Sequence, residues 1–190
     1  MNTPITMERF AEASPGLKAR IAGVFNLLAI LMGIFASFIV HGRVSFVAEL
    51  IASACNFAVT LLLYDILKPV NKSLSLLAAF FGLVVSAMGA LRWHLHGVDI
   101  GLLFLGFYCL LIGYLIFKSI FLPRILGTLM AFAGLAWLLS SSSQLAHHLS
   151  PYIFAPGILG QVSLTLWLLV TGVNVQRWND QASAAGKRRP

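Results

Sequence analysis

The sequence has few charged residues and very few acids. Asp and Glu number 6 and Lys and Arg number 13 among 190 residues, while 59% of the residues are hydrophobic. Soluble domains usually carry about 25% charged residues, and the 10% found here is far below that level. The shortage of charge excludes an ordinary soluble globular protein and indicates a membrane protein.

Motifs of the common catalytic and metal-binding classes are also missing. The two cysteines, Cys55 and Cys109, both fall within apolar runs, so the sequence does not support a disulfide framework. It contains no CxxC, no HExxH, no glycine-rich phosphate loop and no serine nucleophile elbow. Basic residues are scattered in ones and twos without interleaved aromatic residues, so we expect no nucleic-acid partner.

What the sequence does contain is a series of apolar runs of about 20 residues, the length that crosses a hydrocarbon layer of roughly 30 Å. The runs cover residues 21–40, 46–67, 74–92, 100–121, 124–144 and 153–176. The sequence therefore predicts an all-α integral membrane bundle of six transmembrane helices. The predicted domains are a cytoplasmic segment over 1–20, the membrane domain over 21–178 and a disordered basic cytoplasmic tail over 179–190.

Basic residues are distributed unequally between the two sides of such a bundle. Most fall on the side of the termini: Arg9, Lys18, Arg20, Lys68, Lys72, Lys118, Arg124, Arg177, Lys187, Arg188 and Arg189. The other side has Arg43 and Arg92. The positive-inside rule then places both termini in the cytoplasm, and we expect a multi-pass protein of the bacterial inner membrane. Lys118 and Arg124 are predicted to contact lipid headgroups.

Uncharged hydrogen-bonding residues concentrate in the outer halves of the second, fifth and sixth predicted helices. No charged residue is expected at mid-depth, which argues against a proton relay or a charge-driven pump. We predict a polar cleft open to the outer face, lined by Glu49, Asn56, Ser140, Ser141, Ser143, Gln144 and Gln161. An amide in hydrocarbon must find a hydrogen-bond partner, which favours the bundle interior for Asn56 and Gln161.

All five histidines fall in the predicted outer loops, as His41, His94, His96, His147 and His148. Zinc, copper or haem could be bound by several imidazoles if the three loops converged. Residues two apart point to nearly opposite faces of a helix, so His94 and His96 bind one metal together only in an extended loop. We therefore expect no cofactor and keep a metal- or haem-linked redox or sensor protein as the alternative.

Three segments carry a family resemblance: LLLYDILKPVNKSLSLLAAFF over 61–81, YCLLIGYLIFKSIFLPRILGTLMAFAGLAWL over 108–138 and PGILGQVSLTLWLLVTGVNVQRW over 156–178. They resemble the bacterial membrane family called domain of unknown function 4386. The resemblance implies a six-helix bundle and no established activity. Members of that family often have an arginine where this chain has Gly82 and a glutamate where it has Gln161. Both partners of any such charge pair are absent from this chain.

The sequence therefore predicts a non-catalytic small-molecule or lipid-handling module, or an accessory subunit of a membrane complex, that uses the outer cleft. The expected partners are membrane lipids, with other membrane subunits or further copies of the chain as alternatives. A membrane enzyme with Glu49 or Asp99 as general base is the least favoured alternative, because neither carboxylate has a nucleophile or partner at motif spacing.

Overall fold

A computed structural model describes residues 14–36, 42–91, 99–141, 152 and 154–187. These residues form seven helices and contain no strand, which confirms the all-α prediction for this part of the chain. The helices are α1 Pro15–Ile34, α2 Arg43–Leu67, α3 Lys72–Leu91, α4 Ile100–Lys118, α5 Arg124–Ser140, α6 Phe154–Val170 and α7 Val175–Lys187.

Helices α1 to α4 are each long and apolar enough to cross a bilayer. Helices α6 and α7 meet the same test together, as a pair bent by 103°, whereas α5 is a shorter apolar helix of 17 residues. At 1.5 Å per residue α5 is about 26 Å long, slightly less than a typical hydrocarbon core of roughly 30 Å. The chain is a multi-pass membrane protein with four or five candidate spans among the described residues, fewer than the six predicted.

The first helix begins earlier than the sequence predicts. Ser14 caps it, because the side-chain oxygen accepts a hydrogen bond from the N–H of Leu17 at 3.3 Å. Pro15 occupies the start of the helix, where the N–H that proline lacks would have no partner within the helix. Residues 15–20 therefore belong to α1.

The last predicted span ends early, at a glycine. Gly172 has a φ of 67°, in the left-handed region that favours glycine, and its N–H donates to the carbonyl of Trp167 at 2.9 Å. Asn174 then caps α7 by accepting a hydrogen bond from the N–H of Arg177 at 3.1 Å. The chain after residue 179 is thus helical to the end of α7, where the sequence predicts a disordered tail.

Helices α1 to α6 form a closed ring. Each helix packs against its neighbours in the chain, and α6 packs back against α1. Contacts between α4 and α5 are the most extensive. Successive helices alternate in direction, so α1, α3 and α5 begin at the end of the ring where α2, α4 and α6 finish. We call this the basic end, because Lys18 and Lys68 lie there and both pair with Asp65.

The half of the ring nearest the basic end has a closely packed interior. Its largest fully buried side chains include Ile66, Leu67, Leu115, Ile116 and Leu168. Helix α7 lies across this end and is fixed by Trp178, whose indole N–H donates to the carbonyl of Ile66 at 2.8 Å. The interior of the opposite half is less completely filled, and it contains the candidate site.

Candidate functional site

A cavity of about 410 Å³ lies inside the ring, and we call it the polar cavity. Helices α1, α2, α3, α4 and α6 line it. Its polar lining residues are Asn26, Glu49, Ser53, Asn56, Ser86 and Gln161. Apolar side chains such as Ile30, Val85 and Leu105 complete the wall. The volume is within the range of roughly 300–1,000 Å³ that is typical of small-molecule sites.

The polar cavity extends from the middle of the helices towards the end opposite the basic end. Asn56 and Gln161 lie near the midpoints of α2 and α6. Glu49 lies seven residues before Asn56, which places it about 10 Å nearer the opposite end. Segments 37–41, 92–98 and 142–151, which join the helices at that end, fall outside the described residues.

Asn26 is held in one orientation by a hydroxyl group on α6. Its Nδ2 donates to Thr165 Oγ1 at 2.7 Å, and Thr165 Oγ1 donates to the carbonyl of Gln161 at 2.7 Å. A threonine hydroxyl has one proton, and the carbonyl takes it, so the hydroxyl oxygen can only accept from Asn26. The amide nitrogen of Asn26 must therefore face Thr165.

Asn56 is held in the same way by a hydroxyl group on α3. Its Nδ2 donates to Ser86 Oγ at 3.1 Å, and Ser86 Oγ donates to the carbonyl of Gly82 at 3.0 Å. The third amide of the cavity, Gln161, donates from Nε2 to Cys109 Sγ at 3.8 Å. Each amide thus donates one N–H to the protein. Its carbonyl oxygen and second N–H have no partner among the described residues.

The lining of the polar cavity offers more acceptors than donors. Each amide oxygen has two lone pairs, whereas each amide has one N–H left. Glu49 is a half-buried residue of this lining, and the described lining contains no basic residue. This arrangement suits a ligand that has N–H or O–H donors and an apolar body.

Three residues of the predicted outer cleft, Glu49, Asn56 and Gln161, line the polar cavity together. The predicted cleft did not include the other polar residues of the lining, Asn26, Ser53 and Ser86. A helical spacing could have identified one of them, because Glu49, Ser53 and Asn56 follow one another at intervals of four and three residues. That spacing puts all three on one face of α2.

The serine run at the end of α5 behaves differently from the prediction. Ser140 and Ser141 are buried, but neither lines the polar cavity. Ser140 Oγ donates to the carbonyl of Ala136 at 2.8 Å, and Ser141 Oγ donates to that of Leu138 at 2.7 Å. Both hydroxyls are therefore satisfied within their own helix. The other predicted residues of this run, Ser143 and Gln144, lie outside the described residues.

The predicted histidine ligands all lie outside the described residues: His41, His94, His96, His147 and His148. Within the described ranges, no group of three or more His, Cys, Asp or Glu side chains is placed to hold a metal ion.

Lys118 and Arg124, the predicted lipid headgroup contacts, are exposed near the basic end. Lys118 Nζ lies 5.9 Å from the ring centroid of Tyr114, and the guanidinium carbon of Arg124 lies 5.8 Å from that of Phe117. Both distances are within the range of cation–π attraction. The two cations thus lie on aromatic side chains of α4.

Neighbouring side chains leave no space for a side chain at Gly82. A Cβ at Gly82 would lie 2.6 Å from Thr60 Oγ1 and 2.9 Å from Tyr108 Cε2, both too close for a carbon atom. The arginine that the family resemblance implies at this position would therefore have no room in the packing of this chain.

Comparisons with known proteins identify relatives of unknown function. The family model described as "Domain of unknown function (DUF4386)" matches residues 41–93 and 85–172. A relative from Archaeoglobus fulgidus, described as "Uncharacterized protein", is 28% identical over 128 residues, which cover 62% of this chain and 76% of the relative. No solved structure matches the chain.

Proposed function

The chain belongs to the family described as domain of unknown function (DUF4386), and on that premise we propose that it is a non-catalytic module that binds a small molecule or a lipid in the polar cavity. It acts as a ligand-handling component or an accessory subunit of a membrane complex. The observation that carries this proposal is the convergence of Asn26, Asn56 and Gln161, from three helices, on one cavity of about 410 Å³.

The proposed ligand has an apolar body and a group with N–H or O–H donors. Burying an unpaired amide oxygen in an apolar environment costs free energy, so the free oxygens of the three amides favour either water or a donor group of the ligand.

The proposed orientation has six spans, with the basic end in the cytoplasm and the polar cavity open to the outer face. Its support is the gathering of Lys18, Lys68, Lys118, Arg124 and Arg177 on the turns and helix ends at the basic end. Because one relative is archaeal, we propose the cytoplasmic membrane of a prokaryote, with the bacterial inner membrane as the particular case.

The test is to identify what copurifies with the full-length protein in a mild detergent. Organic extracts of the wild type are analysed by mass spectrometry, together with extracts of Asn56→Leu and Gln161→Leu. Neither change leaves Ser86 unsatisfied, because its proton is taken by the Gly82 carbonyl. Gln176→Leu is the control, since this amide is exposed on α7 outside the polar cavity.

We expect one compound in the wild type and the control at close to one equivalent, and its loss from both cavity variants. Equal retention in all four proteins would contradict binding in the polar cavity. Zinc, copper or haem at one equivalent, lost on His94→Ala or His147→Ala, would instead favour the metal- or haem-linked alternative.

A further inference from the structure

A second groove lies at the basic end, on the opposite side of the bundle from the mouth proposed for the polar cavity. It has a volume of about 430 Å³ and runs between helix α7 and the turn that joins α2 to α3. Lys68 and Lys72 line it from the turn, and Trp178 and Ala182 line it from α7. We call it the basic groove.

The basic groove has an excess of positive charge. Asp65 is shared by Lys68 and Lys18, so one carboxylate serves two ammonium groups. Lys72 is exposed, and no acidic side chain of the described ranges pairs with it. A lysine ammonium has three N–H donors, and Lys68 uses one of them for Asp65. The groove therefore presents several unused cationic donors to an anion.

Trp178 forms a fixed wall of the basic groove. Its indole N–H is taken by the carbonyl of Ile66, so the ring offers an apolar edge and no free donor. Tryptophan and lysine at the ends of membrane helices are typical of the headgroup level of a bilayer. The position and composition of the basic groove thus match the layer in which lipid phosphates lie.

An apolar groove lies along α3 and begins at Ser73, the residue after Lys72 of the basic groove. It has a volume of about 480 Å³ and is lined from Ser73 to Leu83. Leu76 and Phe80 of this groove are exposed. They follow Lys72 at intervals of four residues, so all three lie on one face of the helix. From Ser73 to Leu83 the helix rises about 15 Å, enough to accommodate a large part of one acyl chain.

We propose that the two grooves bind one anionic phospholipid. Its phosphate lies between Lys68 and Lys72, against Trp178, and one acyl chain follows α3 from Ser73 to Leu83. A free phosphate ion would not contact the apolar groove. A neutral hydrocarbon would not pair with the lysines. The two grooves share no lining residue with the polar cavity, so this lipid site does not depend on what the polar cavity binds.

The test is native mass spectrometry of the full-length protein titrated with phosphatidylglycerol or phosphatidylcholine. Lys72→Gln and the double variant Lys68→Gln/Lys72→Gln are compared with Arg20→Gln/Arg177→Gln. The control double variant removes the same charge from exposed residues at the same end of the bundle, and neither residue lines either groove. Lys72→Gln breaks no ion pair of the described residues, so its result does not depend on altered folding.

We expect one phosphatidylglycerol adduct in the wild type and in the control, with weaker binding of phosphatidylcholine. Affinity for phosphatidylglycerol should fall several-fold in Lys72→Gln and by about tenfold or more in the double variant. Leu76→Ala/Phe80→Ala should weaken both lipids. An equal loss in the control would overturn the proposal in favour of unspecific charge attraction. Competition by inorganic phosphate at the concentration of the lipid would overturn it in favour of a soluble anion.

Discussion

Replacing one glycine between α4 and α5 tests the packing that holds the ring closed. A Cβ at Gly127 would lie 2.7 Å from the carbonyl oxygen of Gly113 and 2.7 Å from the backbone nitrogen of Phe117. A Cβ at Gly113 would in turn lie 2.8 Å from the carbonyl oxygen of Gly127. The obstructing atoms belong to the backbone, so no side-chain rotation can relieve the overlap.

The cost of Gly127→Ala follows from these distances. Non-bonded carbon atoms have their optimal separation at about 3.5–4.0 Å, so the two helices must separate locally by roughly 0.8 Å. A gap of this size forfeits a quarter to a half of the dispersion energy of each separated atom pair, and overpacking of this kind typically costs about 1–3 kcal/mol. We expect Gly127→Ala to lower the free energy of unfolding by this amount.

The assay is reversible unfolding in mixed micelles, in which SDS is added to a mild detergent and helicity is followed by circular dichroism. Gly33→Ala is the matched control, because no atom lies within 4 Å of a Cβ at that helical position. It should be neutral or stabilise by up to about 1 kcal/mol through helix propensity. Equal destabilisation by both changes would refute the packing argument.

The remaining predictions concern polar contacts at the two halves of the ring. Asp65→Asn should destabilise the protein by about 1.5–3 kcal/mol, measured by the same assay, because two lysines lose their carboxylate. Trp178→Phe keeps the ring but leaves the carbonyl of Ile66 without its donor, so hydrogen exchange should become faster in α7 and unchanged in α4. A double-mutant cycle of Asn26→Ala and Thr165→Val should give a coupling of about 0.6 kcal/mol; zero coupling would contradict this hydrogen bond.

The number and type of the main helices could be predicted from the sequence, but several of their ends could not. Apolar runs of membrane length predict helices, because every backbone N–H and C=O must be hydrogen-bonded within the chain where it crosses lipid. The ends depend on single residues, and two were misread. Helix α1 begins at Pro15, ahead of the predicted start at residue 21, and Gly172 stops α6 through its positive φ before the apolar pattern ends.

The polar cavity was predictable only in part, because amides and hydroxyls differ in how they can be satisfied. Asn56 and Gln161 cannot pair both their donors and their acceptor within one helix, so the bundle interior was a sound prediction for them. A serine can donate to a carbonyl of its own preceding turn, as Ser140 does. A run of serines therefore says little about which surface a helix presents to a cavity.

Helix α7 could not be predicted by apolar content, because its sequence is polar and was assigned to a tail. Its position depends on a few contacts with distant turns, including the hydrogen bond from the backbone N–H of Ile120 to Gln181 Oε1 at 3.1 Å. Contacts of this kind join residues far apart in the chain, and single-sequence periodicity carries no signal for them.

Site-directed cysteine labelling tests most directly whether the polar cavity inside the ring opens to the outer face. Ser53→Cys and Ser140→Cys are made in a background with Cys55→Ala and Cys109→Ala. Ser53 lines the polar cavity, whereas Ser140 is buried in the same half of the ring outside it. A membrane-impermeant maleimide added to intact cells should label Ser53→Cys and leave Ser140→Cys unlabelled. Labelling of Ser53→Cys solely in inverted vesicles, or equal labelling of both variants, would contradict the account.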